Sequence, residues 1–265
     1  MPELPDLEVL KERLHTLVGD TITAVDVQFP LTFRIMVEGH PEEVLSTRKV
    51  QDITRRGKFL IFELDIHFLV FNLMLTGRLQ LTDQLKNPRN TRVVIAFDSG
   101  RYLQFIDFKK MGKIYVTDDL GKIPQYPELG IEPLSDQFSL EWFSHLLNDQ
   151  REIKIVLTDQ KKIAGIGNAY SDEILFHARI NPRRRADSLT SEEKSILYDS
   201  IHYILEDALI RIREADTYEE VRDFLLVHGK KGQPCPVCQS VIREIEVSKR
   251  VTHVCPQCQN MGFPL

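Results

Sequence analysis

Apolar residues recur at helical spacing near the start of the chain. Leucines stand three or four residues apart there, at Leu7, Leu10, Leu14 and Leu17. This spacing predicts an amphipathic helix up to about residue 18, and Gly19 occupies the position of a helix C-cap.

Between residues 21 and 116 the pattern changes to short runs rich in β-forming residues. We predict strands at 22–29, 59–64, 68–73, 93–97, 102–105 and 113–116. Asp98, Ser99 and Gly100 separate two of these runs and form a hairpin signal. Many short strands with turn residues between them indicate an antiparallel sandwich or barrel.

Beyond Pro133 the chain is helical in character. Apolar residues at three- and four-residue steps predict helices at 140–147, 153–158, 170–178, 191–213 and 218–227. Pro124, Pro127 and Pro133 mark a linker. We therefore predict an α+β protein with a β-sandwich domain at 1–130, a helical domain at 131–228 and a small cysteine-containing unit at 229–265.

The composition is that of an ordinary globular protein, with 42% hydrophobic and 28% charged residues over 265 positions. The most apolar stretch, 59–75, is interrupted by charged residues and is shorter than the roughly 20 residues of a spanning helix. We assign it to core strands and expect no membrane partner. The acidic N-terminus lacks the basic and apolar regions of a signal peptide, so we expect a cytoplasmic protein of bacterial type.

Charge alone does not identify a partner. The net charge of −5 argues against nucleic acid, but phosphate binding depends on local charge. Basic residues are clustered at 55–58, 109–113, 183–185 and 249–250, among other places. A single basic cluster is more often an ordinary solvated surface.

All the cysteines lie near the C-terminus as two Cys-x-x-Cys pairs, formed by Cys235, Cys238, Cys255 and Cys258. This spacing is that of a four-thiolate ribbon with no ligand position left for water, and it predicts one structural Zn²⁺. Two disulfides or free thiols are the alternatives, and a reducing compartment argues against disulfides. The zinc would hold the hairpin that carries Lys249 and Arg250 in one conformation.

A Gly-x-Gly turn, Gly165-Ile166-Gly167, precedes Asn168. The glycines permit a tight turn, and Asn168 is placed to start the next helix, whose first N–H groups suit a phosphate. An ordinary helix–turn–helix corner that binds no phosphate would show the same Gly-x-Gly pattern. A dinucleotide site is not expected, because no βαβ unit surrounds the turn.

The chain begins Met1-Pro2-Glu3. Removal of Met1 would leave Pro2 with a free secondary amine. An α-amino group has a pKa of about 8 and a lysine side chain one of about 10.4, so the terminal amine is more often unprotonated at neutral pH. Attack of this amine on a sugar carbon gives an iminium, whose positive charge promotes strand cleavage by elimination, with Glu3 as the nearby acid–base group. Such a start is also common by chance.

The chain closely resembles the formamidopyrimidine-DNA glycosylase and endonuclease VIII family in motifs that follow the family's order. They are Met1-Pro2-Glu3-Leu4-Pro5, Arg56-Gly57-Lys58, Gly165-Ile166-Gly167-Asn168-Ala169-Tyr170 and the four cysteines. The resemblance runs from residue 1 to about 260, and the start is closer to the formamidopyrimidine branch. It implies a two-layered β-sandwich with an N-terminal helix, a helix–two-turn–helix domain and a zinc finger.

The resemblance also implies an activity and the residues that carry it. The activity is base-excision repair of oxidised bases such as formamidopyrimidines in double-stranded DNA, by a monomeric glycosylase and AP lyase. Pro2 is then the Schiff-base nucleophile and Glu3 assists base departure. Lys58 is the proton donor for β-elimination, and Arg250 is the donor for δ-elimination.

The same resemblance places Asn168, Lys58 and Arg250 on the phosphates beside the lesion, and Lys154 at a lysine position of the family's site. The residues that fill the gap left by a flipped base differ from the oxidised-purine pattern. Here they are Leu75, Lys109 and Met111 instead of methionine, arginine and phenylalanine. Lysine lacks the planar fork of arginine, whereas the two apolar residues can still act as wedges.

Two further departures leave the lesion range open. Asn90 stands where the family often has a phosphate-contacting histidine. The 224–229 segment is short for a loop that covers a flipped 8-oxoguanine. The alternatives are a family member that binds damaged or abasic DNA with little glycosylase activity, and a zinc-ribbon protein that serves RNA or a protein complex.

Overall fold

The computed structural model describes residues 1–85 and 89–261. It divides into two compact units. The N-terminal unit comprises Met1–Glu128 and Ala215–Glu220, and the C-terminal unit comprises Leu129–Glu214 and Val221–Leu265. The zinc-finger segment therefore packs in one unit with the helical segment, and residues just after the longest helix join the β-rich part. The predicted three-domain division stays a prediction.

The N-terminal unit is built from nine strands and two α-helices within the described residues. The helices are α1 (Leu4–Leu14) and α2 (Pro41–Leu45). The strands are β1 (Ile22–Val27), β2 (Phe33–Ile35), β3 (Val50–Arg56), β4 (Phe59–Leu64), β5 (Phe68–Asn72), β6 (Gly77–Thr82), β7 (Thr91–Phe97), β8 (Tyr102–Asp107) and β9 (Lys113–Thr117). All six predicted strands are present, and β2, β3 and β6 are additional.

The strands form two sheets whose inner faces share one core. One sheet has the order β1-β7-β8-β6 and the other β2-β9-β5-β4-β3. Every pair is antiparallel except β2 and β9, which are parallel. Inward residues of both sheets, such as Leu79 and Phe71, pack in one cluster with the leucines of α1, which confirms the sandwich. The predicted N-terminal helix is also confirmed, although its last part, His15–Leu17, is a 3-10 turn.

The C-terminal unit contains four helices and one hairpin in its described part. They are α3 (Leu140–Leu146), α4 (Ile153–Leu157), α5 (Asn168–His177), α6 (Ser191–Glu214), β10 (Arg243–Val247) and β11 (Arg250–Val254). Helices α3 and α6 begin at a residue whose side chain caps them. Thr190 and Glu193, for example, exchange side-chain to backbone hydrogen bonds of 3.2 and 2.9 Å at the start of α6, which is a capping box.

The helix predicted at 218–227 is wrong. The segment is not helical, and its last backbone donors have another partner. The N–H groups of Leu226, Val227 and His228 donate to the carboxylate of Glu173 at 2.9, 2.9 and 2.7 Å. The segment is also divided between the two units after Glu220. Among the described residues, no helix is long and apolar enough to cross a membrane.

Candidate active site

The start of α1 is held by its own first residues. The backbone N–H of Glu3 donates to the Asp6 carboxylate at 2.8 Å, and this bond fixes the first turn of the helix. Glu3 is 1% exposed, and Pro2 is partly buried. The two residues predicted to carry the chemistry therefore stand in a fixed conformation where the chain enters the helix.

Contacts along α1 show how it lies on the second sheet. His15 at its C-terminal end is 3.5 Å from Asp52 of β3. Glu8, two turns earlier, accepts a 2.7 Å hydrogen bond from Arg55, and Arg55 also donates to the carbonyl of Gly57 at 3.0 Å. The helix and the strand thus run in opposite directions, side by side.

This alignment brings the start of the chain towards the turn between β3 and β4. From Glu8 back to Glu3 the helix covers about 7.5 Å, and two strand residues beyond Arg55 cover about 6.6 Å. Glu3 is therefore level with the two-residue turn formed by Gly57 and Lys58. Gly57 has a φ of +56°, which a glycine adopts readily. The N-terminal unit thus brings Pro2, Glu3 and Lys58 to one end of α1.

Met1 precedes Pro2 in this chain and has a partner of its own. Its terminal ammonium is 3.3 Å from the carboxylate of Glu220. While Met1 is attached, the nitrogen of Pro2 is an amide nitrogen, and amide resonance removes its nucleophilicity. The chemistry predicted for Pro2 accordingly requires removal of Met1.

The three predicted wedge residues lie on two loops that a single carboxylate connects. Asp107, 1% exposed, accepts from the hydroxyl of Thr76 beside Leu75. It also accepts from the backbone N–H of Lys109 at 3.2 Å and of Gly112 at 2.8 Å. The β5–β6 loop and the β8–β9 loop are therefore held together, and Leu75 comes to the same side as Lys109.

These loops expose different amounts of their side chains. Leu75 is 41% exposed and Lys109 is exposed, whereas Met111 is only partly so. Phe108, which the sequence reasoning did not single out, is 57% exposed. The sequence signal that could have identified Phe108 is its position directly before Lys109, the candidate DNA-contacting lysine. Asn90 has a φ of +79°. Its side-chain oxygen accepts a hydrogen bond from Arg92, and its backbone carbonyl accepts one from the N–H of Asp107. These contacts fix the conformation of Asn90 close to Asp107.

The four cysteines of the C-terminal unit converge as the spacing predicts. Their sulfur atoms lie within 4.8 Å of one another, with 3.4 Å between Cys238 and Cys255 and 3.9 Å between Cys235 and Cys258. Tetrahedral Zn²⁺ with Zn–S bonds of about 2.3 Å needs sulfurs about 3.8 Å apart. Two backbone N–H groups also point at the sulfurs of Cys235 and Cys255, each at 3.4 Å. The residues fit one structural Zn²⁺, which confirms the prediction.

The zinc hairpin is fastened to the helices at its β11 strand. The turn between β10 and β11 is formed by Ser248 and Lys249, both with positive φ, and Arg250 follows it. The guanidinium of Arg250, which is exposed, donates to the hydroxyl of Thr158 at the end of α4. The side-chain amide of Asn168 donates to the carbonyl of Val251 at 2.8 Å. Asn168 and Arg250 are thus brought together within this unit.

Asn168 is the first residue of α5, as expected, and Gly167 occupies the cap position before it. The structure differs from the sequence expectation at Lys154. Lys154 is 1% exposed, and its ammonium donates to Asp172 and, at 2.8 Å, to the hydroxyl of Thr252. A lysine on DNA would face solvent, whereas Lys154 neutralises the fully buried carboxylate of Asp172. The burial thus favours a positioning role for Lys154.

Asp172 is the centre of a buried polar cluster that joins α5 to β11. Its second oxygen accepts from the ring of His228 at 2.7 Å and from the backbone of His253 at 3.1 Å. Burial alone would raise the pKa of Asp172, but these hydrogen bonds and the charge of Lys154 lower it to about 2. The neighbouring Glu173 has a pKa above its ordinary value because burial outweighs its three backbone donors.

Comparison with known proteins covers nearly the whole chain. Family models match at 1–114 (formamidopyrimidine-DNA glycosylase N-terminal domain), 129–218 (formamidopyrimidine-DNA glycosylase H2TH domain) and 232–260 (zinc finger found in FPG and IleRS). The formamidopyrimidine-DNA glycosylase of Listeria innocua is 33% identical, and that of Herpetosiphon aurantiacus 37%. Both alignments cover 98% of this chain and 100% of the relative.

Solved structures agree with these relatives. A complex between the Lactococcus lactis Fpg and DNA containing an abasic site has a TM-score of 0.86 at 29% identity, covering 97% of this chain and 99% of that one. The MutM (FPG) protein of Thermus thermophilus has a TM-score of 0.85 at 33% identity, covering 98% and 99%. Matched from end to end in sequence and fold, the chain belongs to the formamidopyrimidine-DNA glycosylase family.

Proposed function

We propose that this protein is a base-excision-repair DNA glycosylase with AP lyase activity that removes oxidised bases, formamidopyrimidines among them. The observation that carries the proposal is the alignment of α1 on β3, which brings Pro2 and Glu3 to the Lys58 turn. Base release and strand cleavage need a nucleophilic amine, a carboxyl group and an ammonium group near one another, and these three groups lie at the same end of α1.

The steps follow from the chemistry of a secondary amine. The Pro2 nitrogen forms a bond to C1′ of the damaged nucleotide, and the bond from C1′ to the base breaks, with Glu3 assisting the departure of the base. Ring opening gives an iminium, which acidifies C2′–H. The carboxylate of Glu3, left after it protonates the departing base, takes that proton, and the electron pair at C2′ expels the 3′ phosphate with Lys58 as its proton donor. Loss of the C4′ proton then expels the 5′ phosphate with Arg250 as donor, and water hydrolyses the iminium to an aldehyde and free Pro2.

Binding of the duplex uses the two proton donors and several residues that take no part in the reaction. Asn168, Lys58 and Arg250 would contact the phosphates that flank the lesion, and Asn90 would replace a phosphate contact of the family. Leu75, Lys109 and Met111 would enter the gap left by the flipped base. Bound zinc would keep the hairpin with Arg250 rigid. The protein would act as a monomer on DNA in the bacterial cytoplasm.

Covalent trapping tests this mechanism. Processed protein without Met1 is mixed with a duplex containing one abasic site and reduced with borohydride, and the products are measured by intact mass. We expect an adduct at Pro2, because reduction fixes the iminium. The matched control is the same chain with Met1 retained, which should give none. Processed protein that forms no adduct would contradict the proposal.

The altered wedge residues favour a second candidate. Lys109 cannot make the bidentate contact of an arginine to the orphaned partner base, so the protein could recognise abasic DNA while releasing damaged bases poorly. Tight binding to the abasic duplex without nicking would support this candidate over the first.

A further inference from the structure

Arg250 lies at the tip of the zinc hairpin, directly after the turn at 248–249. The residue is exposed, and an exposed arginine side chain has several rotatable bonds that leave its guanidinium without one fixed position. Here the guanidinium has an anchor, because Nη1 donates to the hydroxyl of Thr158. A donor in catalysis has to lie within hydrogen-bond reach of the group that it serves. The anchor therefore bears directly on what Arg250 can do.

Thr158 is itself held in one orientation. It is the C-cap residue of α4 and is 5% exposed. Its hydroxyl donates to the carbonyl of Lys154, one turn earlier in the helix, at 2.9 Å. Because the hydroxyl proton is used there, the lone pairs of the oxygen are directed to the Arg250 guanidinium. The end of α4 thus presents a fixed acceptor to the hairpin.

The backbone of Arg250 is connected to the same helix by a second route. Its carbonyl accepts from the hydroxyl of Thr252 at 3.2 Å, and the Thr252 oxygen accepts from the ammonium of Lys154 at 2.8 Å. Thr252 is 0% exposed, so water does not compete for these contacts. Lys154 thus holds the Arg250 backbone through its ammonium and the Arg250 side chain through its carbonyl. With the backbone fixed in this way, the contact with Thr158 sets the direction of the guanidinium.

The anchored nitrogen leaves most of the guanidinium available. The group has five N–H donors in one plane, and the contact with Thr158 uses one donor at Nη1. Because the plane is rigid, fixing Nη1 also fixes the directions of Nε and Nη2. These two nitrogens can donate together to two oxygens of one phosphate, in the bidentate geometry that arginine favours. The Thr158 contact thus prepares Arg250 for a phosphate and does not block it.

We propose that Thr158 is a positioning residue for the elimination that expels the 5′ phosphate. Its hydroxyl holds Arg250 so that Nε and Nη2 reach the oxygens of the departing phosphate. The inference rests on the proposed function, because it assumes that Arg250 is the donor of that step. The earlier elimination, which expels the 3′ phosphate, uses Lys58 of the N-terminal unit and does not need the Thr158 hydroxyl.

The two eliminations leave different ends on the same strand, so the second step can be measured separately from the first. Processed, zinc-loaded protein is mixed in excess with a duplex that has one abasic site and a label at the 5′ end of the damaged strand. The first elimination leaves an unsaturated aldehyde at the 3′ end of the labelled fragment, and the second replaces it with a 3′ phosphate. Denaturing electrophoresis separates these fragments and gives a rate for each step.

Thr158→Val keeps the shape of the side chain and removes its hydroxyl. We expect this variant to lower the rate of the second elimination about tenfold, while the rate of the first changes by less than about twofold. Thr158→Ser, which keeps the hydroxyl, should retain a ratio of the two rates close to that of the wild type. In an Arg250→Ala background, Thr158→Val should change the ratio no further, because the hydroxyl then has no guanidinium to hold.

Ser135→Ala is the matched control in the same unit. The Ser135 hydroxyl also donates to a backbone carbonyl, that of Glu132 at 2.8 Å, and no guanidinium among the described residues donates to it. Both rates should therefore stay at their wild-type values. A variant that only loses stability or DNA affinity slows both steps and leaves their ratio unchanged, so the ratio separates positioning from a structural role.

The outcomes distinguish this inference from the proposed function. Wild-type protein that gives both products, together with Thr158→Val at the wild-type ratio, would overturn the role of Thr158 alone. Wild-type protein that stops at the aldehyde would overturn it together with the role of Arg250. Wild-type protein that neither cuts the abasic duplex nor forms the borohydride adduct would refute the proposed function itself.

Discussion

Replacement of Lys154 by methionine should strongly destabilise the C-terminal unit. Lys154 and Asp172 are 1% and 0% exposed as side chains, so neither charge is solvated. Methionine fills a similar volume but leaves the carboxylate without its counter-ion. The remaining groups around Asp172 are the rings of His228 and His253, at 2.7 and 3.5 Å, and the backbone N–H of His253. Neutral imidazole rings do not replace a full positive charge.

The size of the effect follows from this burial. Removal of one partner of a buried ion pair costs about 3 to 5 kcal/mol, because the other charge stays buried and uncompensated. With a urea dependence of about 2 kcal/mol per molar, the unfolding midpoint should fall by roughly 1.5 to 2.5 M.

Tryptophan fluorescence can follow this unit separately. The chain has one tryptophan, Trp142 of α3, whose ring is 5.6 Å from that of Phe138 in the C-terminal unit. Urea unfolding of the zinc-loaded protein, monitored at this residue, gives the free energy of unfolding. The control is Lys231→Met in the same unit, where the lysine is 64% exposed and 3.3 Å from Glu244. The control should unfold like the wild type.

A double variant tests the cause. In Lys154→Met combined with Asp172→Asn no unpaired carboxylate remains, so this protein should be more stable than Lys154→Met alone. A fall of less than about 1 kcal/mol for Lys154→Met, or a double variant no more stable than the single one, would refute the assignment of a buried ion pair.

Three further predictions concern pH, metal and a loop. Because the folded-state pKa of Asp172 is about 2 against an ordinary 3.8, its contribution of about 2 kcal/mol is complete above pH ~4 and is lost as the pH falls towards 2. Acid titration of Trp142 fluorescence should show this loss in the wild type and a smaller one in Asp172→Asn. Removal of zinc should raise amide hydrogen exchange in β10 and β11 and slow cleavage of abasic DNA; unchanged protection there would contradict a structural metal. Gly77→Ala should cost about 1 to 3 kcal/mol and impair base release, because its new Cβ would collide with the Leu73 carbonyl in the loop that carries Leu75; an unfolding curve and base release like those of the wild type would contradict this reasoning.

Local patterns were sufficient for most of the elements. The six predicted strands and four of the five predicted helices after residue 133 are present, because alternation and helical spacing reflect which faces are buried. Strand β6 has an alternating pattern that could have been recognised, with Leu79 buried and Arg78 exposed. The parallel pairing of β2 with β9 could not be predicted, since β2 has three residues and pairs far along the chain.

The spacing of the cysteines determined the zinc ligands, whereas Pro2, Glu3, Lys58 and Arg250 were proposed as the reacting residues from the resemblance to the family. Sequence motifs do not record which groups surround each side chain in the folded protein. The carboxylate of Glu173 accepts from the backbone donors of 226–228, and no helix forms at 218–227 although the apolar spacing there is helical.

The sequence by itself determined the fold class and the metal site, since these follow from short-range periodicity and from a compact motif, and it proposed the reactive groups through the resemblance to a family. Only the tertiary structure decided that Lys154 is a buried counter-ion, that Asp107 joins two loops and that Phe108 lines a cavity of the N-terminal unit. The physical reason is that burial, ion pairing and cavities arise between segments distant in sequence, where no local pattern records the partner.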